Sequence, residues 1–323
     1  MDLGIRETAR RQNLDILTAA SRILWRLAYS RPGRRLSIIA TDLAFGLSRL
    51  RNRKTTFADY YAGINAWKLD IGLPHRTLGK RKIDPDSVLA AGRAIGRGQR
   101  AGQGQYVLAE LRRLGLEPHH TVVDYGCGSL RVGATLIAWL DRGRYWGLDI
   151  TDRFYRDGLT QLGQGHLDAK GPRFRVIDDK TLAETAAASP DFVVSVAVVK
   201  HVPPAELDNY FGRIARLMGR QATLLVYFIQ APATVRSNGK SWSHGADSLR
   251  RAATRHMPHR IIHVESRTAL DDRSGTPTGA AVLIVLPAQW SRCVKDTPTD
   301  DPSGWRLTST AQDVSPSIHA NRL

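Results

Sequence analysis

The sequence predicts a doubly wound α/β fold built on a mostly parallel sheet, and three observations predict it. Short apolar runs alternate with amphipathic helical patterns between residues 121 and 229, as parallel strands joined by crossover helices require. A glycine-rich stretch, "VVDYGCGSLRVG", joins the first apolar run to the first helical one. Two more apolar runs close the series, "RIIHVES" and "GAAVLIVLP", and the link between them is too short for a crossover helix. Those two therefore pair antiparallel.

Taken in order, the helix "GQYVLAELRRLGL" (Gly104 to Leu116) delivers the chain into a first strand, Thr121 to Tyr125. Helix Ser129 to Leu140, strand Tyr145 to Ile150, helix Arg153 to Leu167 and strand Phe174 to Ile177 follow. After a short helix, Leu182 to Ala188, come strand Asp191 to Ala197, helix Pro204 to Met218 and strand Ala222 to Ile229. The polar stretch Gln230 to Asp247 reads as a loop before a short helix to His256 and the closing strands, Arg260 to Ser266 and Gly279 to Pro287. That makes seven strands with an antiparallel last one. The tail from Ala288, rich in Pro, Ser, Thr and Asp, reads as loosely ordered.

The N-terminal third is of another kind. Residues 1–100 hold 20 Lys/Arg against 8 Asp/Glu, whereas residues 101–285 hold 23 against 18, so most of the net +17 belongs to the N-terminal module. Within it, Leu14, Leu17, Ala20, Leu24 and Leu27 form one helical stripe, "RPGRR" breaks the helix at Pro32 and Gly33, and Leu36, Ile39, Leu43, Leu47 and Leu50 form a second stripe. These stripes pack on the main domain or a second subunit, or they lie on an anionic membrane surface. Residues 55–97, including "FADYYAGINAWKLDIGLPHRTLGKRKID", read as an irregular covering segment. The expected organisation is a basic helical extension (1–56), a covering segment (57–97), a catalytic domain (98–287) and a tail (288–323).

Two distant cysteines, Cys127 and Cys293, make neither a disulfide framework nor a zinc spacing, and no run of eighteen apolar residues spans a bilayer. The expected location is cytoplasmic, with a peripheral contact at the inner membrane face open to the basic module.

The glycine-rich stretch is the chemical centre of the sequence. Glycines between a strand and a helix let the backbone approach a ligand at the helix N-terminus. No Gly-Lys-Ser/Thr follows, which excludes a P-loop, and the third glycine of a dinucleotide fingerprint is missing. Asp124, just before the turn, would repel a diphosphate but suits a cationic amino group.

In this form the stretch resembles the first motif of the class I S-adenosylmethionine-dependent methyltransferases, and residues 85–287 follow that superfamily's order of elements. The resemblance implies a Rossmann-like fold and S-adenosylmethionine (SAM) as methyl donor; no metal is expected, because no acid-rich pair adjoins a histidine in the late loops, Asp271 and Asp272 being the nearest approach. It implies donor contacts from Asp124, Gly126, Cys127 and Gly128, from Asp149 and Ile150 where the second strand ends, from Asp178 or Asp179 toward the adenine, and from Ser195. Asp149, 25 residues after Asp124, suits a ribose diol because a carboxylate accepts two hydrogen bonds. Cys127 reads as a small turn residue rather than a nucleophile. His201 and His244 are the candidate general bases, each competing with an ordinary structural role.

No N/D-P-P-F/Y run follows the fourth strand, where the chain reads Ser195-Val196-Ala197-Val198, which argues against methylation of a base amino group. The expected acceptor is a small-molecule, glycan or lipid-linked hydroxyl, with nucleic acid the less favoured partner and a homodimer open. The alternatives are an RNA methyltransferase steered by the basic block and a non-catalytic, donor-binding or membrane-surface protein.

Overall fold

A computed structural model describes residues 31–70, 103–268 and 277–288. Nine strands form one sheet: β1 (Val122–Tyr125), β2 (Tyr145–Asp149), β3 (Arg173–Val176), β4 (Phe192–Val196), β5 (Thr223–Ala231), β6 (Val235–Asn238), β7 (Ser241–Gly245), β8 (Arg260–Ser266) and β9 (Gly279–Pro287). Strands β3, β2, β1, β4 and β5 lie side by side and parallel. β9 then pairs antiparallel with β5 and β8. The layout is Rossmann-like, and the closing pair is antiparallel, as its short connection requires.

The central strands are buried on both faces, which is why they read as unbroken apolar runs. Their residues alternate between two cores. Val122, Val194, Leu225 and Ile284 pack on one face with Leu111, Leu136 and Leu140. Val123, Val193, Leu224 and Leu283 pack on the other with Phe211, Ile214 and Leu249. The helices that supply these layers are α3 (Gln103–Arg113), α4 (Gly133–Trp139), α5 (Arg153–Leu162), α6 (Gln164–Lys170), α7 (Asp179–Ala187), α8 (Leu207–Ala215) and α9 (Ala246–His256). Ahead of them run α1 (Arg31–Arg51) and α2 (Phe57–Asp70).

Several boundaries differ from the sequence reading, each for a local reason. α4 starts at Gly133 rather than Ser129, because Leu130 adopts a left-handed backbone (φ 59°). The helix expected from Arg153 to Leu167 is two helices, parted at Gly163 with φ 78°. α7 begins earlier than expected because the Asp178 carboxylate caps it, accepting from the Thr181 N–H at 2.6 Å.

Three larger corrections follow. The segment 230–247 is not a loop: β6 and β7 form a hairpin around Gly239 and Lys240, and β7 continues the sheet beside the end of β5. The start of the covering segment is helical rather than irregular. Thr56 and Asp59 close a capping box, Asp59 N–H to Thr56 Oγ1 at 3.1 Å and Thr56 N–H to Asp59 Oδ2 at 2.9 Å, and α2 runs on from there. Finally, Pro32 and Gly33 do not stand in a turn ahead of the second helix but occupy the first turn of α1, where a proline lacks no needed hydrogen bond; the helix read before them lies outside the described residues. The helix read at 14–28, the segment 71–97 and the tail from 289 lie outside the described residues.

Candidate functional site

The sheet order reverses between β1 and β4, so a crevice opens at their carboxyl ends, where doubly wound folds bind ligands. Its floor is the glycine-rich stretch. Gly126 and Gly128 sit at φ 85° and 54°, and the Gly126 and Cys127 N–H groups both donate to the Leu148 carbonyl, at 2.7 and 3.0 Å. A Cβ on Gly126 would stand 2.2 Å from Val198 Cγ2, whereas one on Gly128 would meet nothing closer than 4.0 Å. Gly126 is thus required by packing and conformation together, and Gly128 leaves open space beside the backbone.

Two carboxylates close this floor. Asp124 is 2 % exposed and Asp149 5 %. Asp149 accepts from the Gly128 N–H and the Ile150 N–H, both at 2.8 Å. Asp124 accepts from the Tyr145 hydroxyl at 2.9 Å, which passes over the bare Cα of Gly133. Burial pushes the Asp124 carboxyl up to about 7, partly offset by Tyr145 and reinforced by the charge of Asp149. Burial likewise raises Asp149 to about 6 against the pull of the Gly128, Ile150 and Thr151 N–H groups. Among the described residues no Lys, Arg or His neutralises either acid. Cys127 lies between them, and burial with both acid charges drives its thiol well above the usual range. It is inert as a nucleophile.

The roof comes from elsewhere in the chain. α2 crosses the carboxyl ends of the strands and lays Tyr61 on His201, with ring centroids 4.6 Å apart and planes 28° from parallel. The Tyr61 ring also meets Phe154 edge-on at 6.4 Å. Burial, then the charge of Asp149, lifts the Tyr61 hydroxyl to about 12, so it stays protonated. His201 ends a 3₁₀ turn, Val199–His201. Its Nδ1 lies 2.7 Å from the Lys240 carbonyl and its Nε2 3.4 Å from the Tyr61 hydroxyl. A carbonyl only accepts, so Nδ1 carries a proton, and in the neutral imidazole Nε2 carries the lone pair. The Lys240 ammonium stands 5.8 Å from the Tyr61 ring, and burial with the neighbouring Lys68 lowers it to about 7.

Among the described residues, two anchors hold α2. At one end Phe57, 2 % exposed, packs on Trp242 of the hairpin at 5.0 Å and on Phe45 at 5.3 Å, while its N–H donates to Glu206. At the other end Asp70 pairs with Arg153 at the head of α5. Beside the roof, a cavity of about 380 Å³ is bounded by Tyr106, Ala197, Lys200, Tyr227, Ile229 and Arg267. Ala197 holds a left-handed backbone (φ 60°), and the buried Tyr227 hydroxyl has no hydrogen-bond partner among the described residues.

The structure therefore brings Asp124, Gly126, Cys127, Gly128, Asp149 and Ile150 together, with His201 above them. The side chains of the remaining four are engaged in other contacts. The Ser195 hydroxyl is fully buried, donating to the Tyr125 carbonyl at 3.0 Å and accepting from Tyr210 at 2.8 Å, which ties β4 to α8 and leaves it nothing to offer a ligand. Asp178 is engaged as the cap of α7, whose N–H groups hold its carboxyl below the usual range. The Asp179 carboxylate turns outward to Arg216, at 2.5 Å and 84 % exposed. His244 is not a surface-loop base but a fully buried residue of β7, with Nε2 bound to the Val199 carbonyl at 3.0 Å. That bond fixes the turn carrying His201, so His244 acts by position. Tyr61 and Lys240 were not singled out by the sequence. The capping box at Thr56 and the Asn238-Gly239 hairpin signal would have found their elements.

No protein-family model and no curated protein matches the chain. Solved structures do. Magnesium protoporphyrin IX methyltransferase from Synechocystis PCC 6803, with bound SAM, matches with TM-score 0.43 and 19 % identity over 71 % of this chain and 94 % of that one. Phosphoethanolamine N-methyltransferase 2 from Haemonchus contortus, also with SAM, gives 0.46 and 14 % over 72 % and 60 %. A TehB-like SAM-dependent methyltransferase from Corynebacterium glutamicum gives 0.38 and 14 % over 71 % and 97 %. With scores below one half, the reading of this chain rests on its own strand order and side chains.

Proposed function

We propose that this chain is a SAM-dependent methyltransferase acting on a hydroxyl of a small-molecule, glycan or lipid-linked acceptor. One observation carries the reading: two buried acids without a basic partner among the described residues, at the switch point of the sheet. Burying carboxylates unpaired is costly, and a cationic ligand end removes that cost. Asp124 would hold the donor's amino group and Asp149 its ribose hydroxyls, with Gly126 and Gly128 giving the backbone close approach. Asp178 stands where β3 ends, but its capping role weakens the adenine assignment.

Bound there, SAM supplies an already activated methyl group, so the chain's own task is to orient the acceptor and remove its proton. His201 suits that task. The Lys240 carbonyl fixes its tautomer, the stacked Tyr61 fixes its ring plane, and the Nε2 lone pair faces the Tyr61 hydroxyl.

The test is calorimetry of the full chain with SAM and S-adenosylhomocysteine, then transfer of labelled methyl to metabolite, glycan, lipid and RNA pools. Binding of both, with label in a non-nucleic pool, is the expected result. Label in RNA alone would overturn the acceptor class; no binding would overturn the activity.

A further inference from the structure

α1 is built inside out. Its polar side faces the protein: Thr41 is buried, Ser37 accepts from the Gly239 N–H at 3.3 Å, and Asp42 pairs with Arg236 of the hairpin at 2.7 Å. Its aliphatic side faces water, with Leu36, Ile39, Leu43, Leu47 and Leu50 all between 56 % and 82 % exposed. Five large aliphatic side chains in one row along a helix are a patch of the kind that marks an interaction surface.

Charge says what covers it. Arg35 and Arg51 project about 80° to either side of the row at 3.6 residues per turn, and Arg49, Arg53 and Lys54 crowd its end, all exposed. The helix has one acid, Asp42, which is already paired. A second copy would bring the same basic rim against this one. Residues 1–30 are themselves net basic, with Arg11, Arg22 and Arg26 beside their own stripe. An anionic bilayer surface satisfies both parts of the face at once, taking the aliphatic row into the acyl boundary and the arginines into the headgroups. Among the described residues no helix is long and apolar enough to cross a membrane.

We infer that α1 docks this protein flat on an anionic lipid bilayer, through the Leu36-to-Leu50 row and its flanking arginines. The hairpin that carries α1 continues the sheet past the end of β5, so the docked face lies toward the end of the sheet that holds the crevice. The inference stands apart from the methyl-transfer reading, since nothing in it depends on the donor.

The experiment is co-sedimentation of the full chain with phosphatidylcholine vesicles, either pure or containing about one-third phosphatidylglycerol. The chain is expected to bind the anionic vesicles and not the neutral ones, and to leave them as salt rises. L43D/L47D is expected to lower partitioning about a hundredfold, from the apolar area of two leucines, with an unchanged melting curve by circular dichroism. R49Q/R51Q/R53Q, which keeps the row, is expected to weaken binding and flatten its salt dependence. Failure of the unaltered chain to bind anionic vesicles overturns the inference. So does a dimer in light scattering that L43D/L47D dissociates, which would make the row a subunit contact. A monomer whose melting temperature falls in L43D/L47D would show instead that residues 1–30 cover the row.

Discussion

The floor of the crevice and its roof are made in opposite ways. The floor comes from one short stretch and the strand beside it, Asp124 to Gly128 and Asp149, and its geometry is set by backbone: positive φ angles, N–H groups and an absent Cβ. The roof comes from three distant places, Tyr61, His201 and Lys240, and is set by side-chain stacking and one carbonyl. A backbone site tolerates no change of shape but needs few particular side chains, whereas a stacked site is the reverse. Substitutions in the floor should therefore register in stability and donor affinity, and those in the roof in turnover alone.

The largest separation is expected from His201→Ala. Loss of a general base lowers turnover by about 10²–10⁴-fold, while calorimetric affinity for S-adenosylhomocysteine stays within error. An equal loss in affinity would mean that roof and floor are one unit. Next comes the glycine pair, read by urea denaturation. Gly126→Ala meets Val198 as well as an unfavourable φ and is expected to lose about 3 kcal/mol or more. Gly128→Ala has the space and is expected to lose about 1–2 kcal/mol.

Asp149→Ala is expected to weaken donor binding about a hundredfold, as the loss of hydrogen bonds to a charged acceptor implies. Asp179→Ala, whose carboxylate faces Arg216 and solvent, is the control and leaves affinity unchanged.

A pH dependence with a definite sign is also expected. Asp124 titrates near 7 in the folded chain against 3.8 ordinarily. Its contribution to stability is therefore full below about pH 4 and lost as pH rises through 7. The donor-free chain should melt at lower temperature at pH 8 than at pH 5, and Asp124→Asn should shrink that difference. Affinity for SAM should run the other way, strengthening through pH 6–7 as the acids ionise, and this trend too should fade in Asp124→Asn.

The same contrast decides what could be read from the sequence. The alternation of apolar runs and helices announced a parallel sheet but not its strand order, Asp124 and the glycines were legible because a turn between strand and helix makes local demands on the backbone, and Asp149 was legible through the resemblance. The roof was not legible, because nothing local in "FADYYAGINAWKLD" says that Tyr61 will lie on a histidine 140 residues away. Ser195 and His244 misled for a related reason: they stand near the right strand ends, but alternation turns Ser195 toward Tyr210, and the hairpin buries His244. For α1 the periodicity identified the helix and its apolar side, yet periodicity carries no direction. Only the position of Ser37 and Thr41 against the hairpin shows that the aliphatic side looks outward.

The two anchors of α2 are unequal. At Phe57 the helix is rooted in a buried aromatic cluster, and freeing that end means exposing Phe57 and Trp242 to water. At Asp70, among the described residues, it is fastened by an ion pair to Arg153 whose partners are about half exposed, a contact that water and salt weaken readily. α2 is in effect a door with a deep hinge and a light latch. Were α2 to part from the sheet, the Arg153 side would give first and would take Tyr61 off His201.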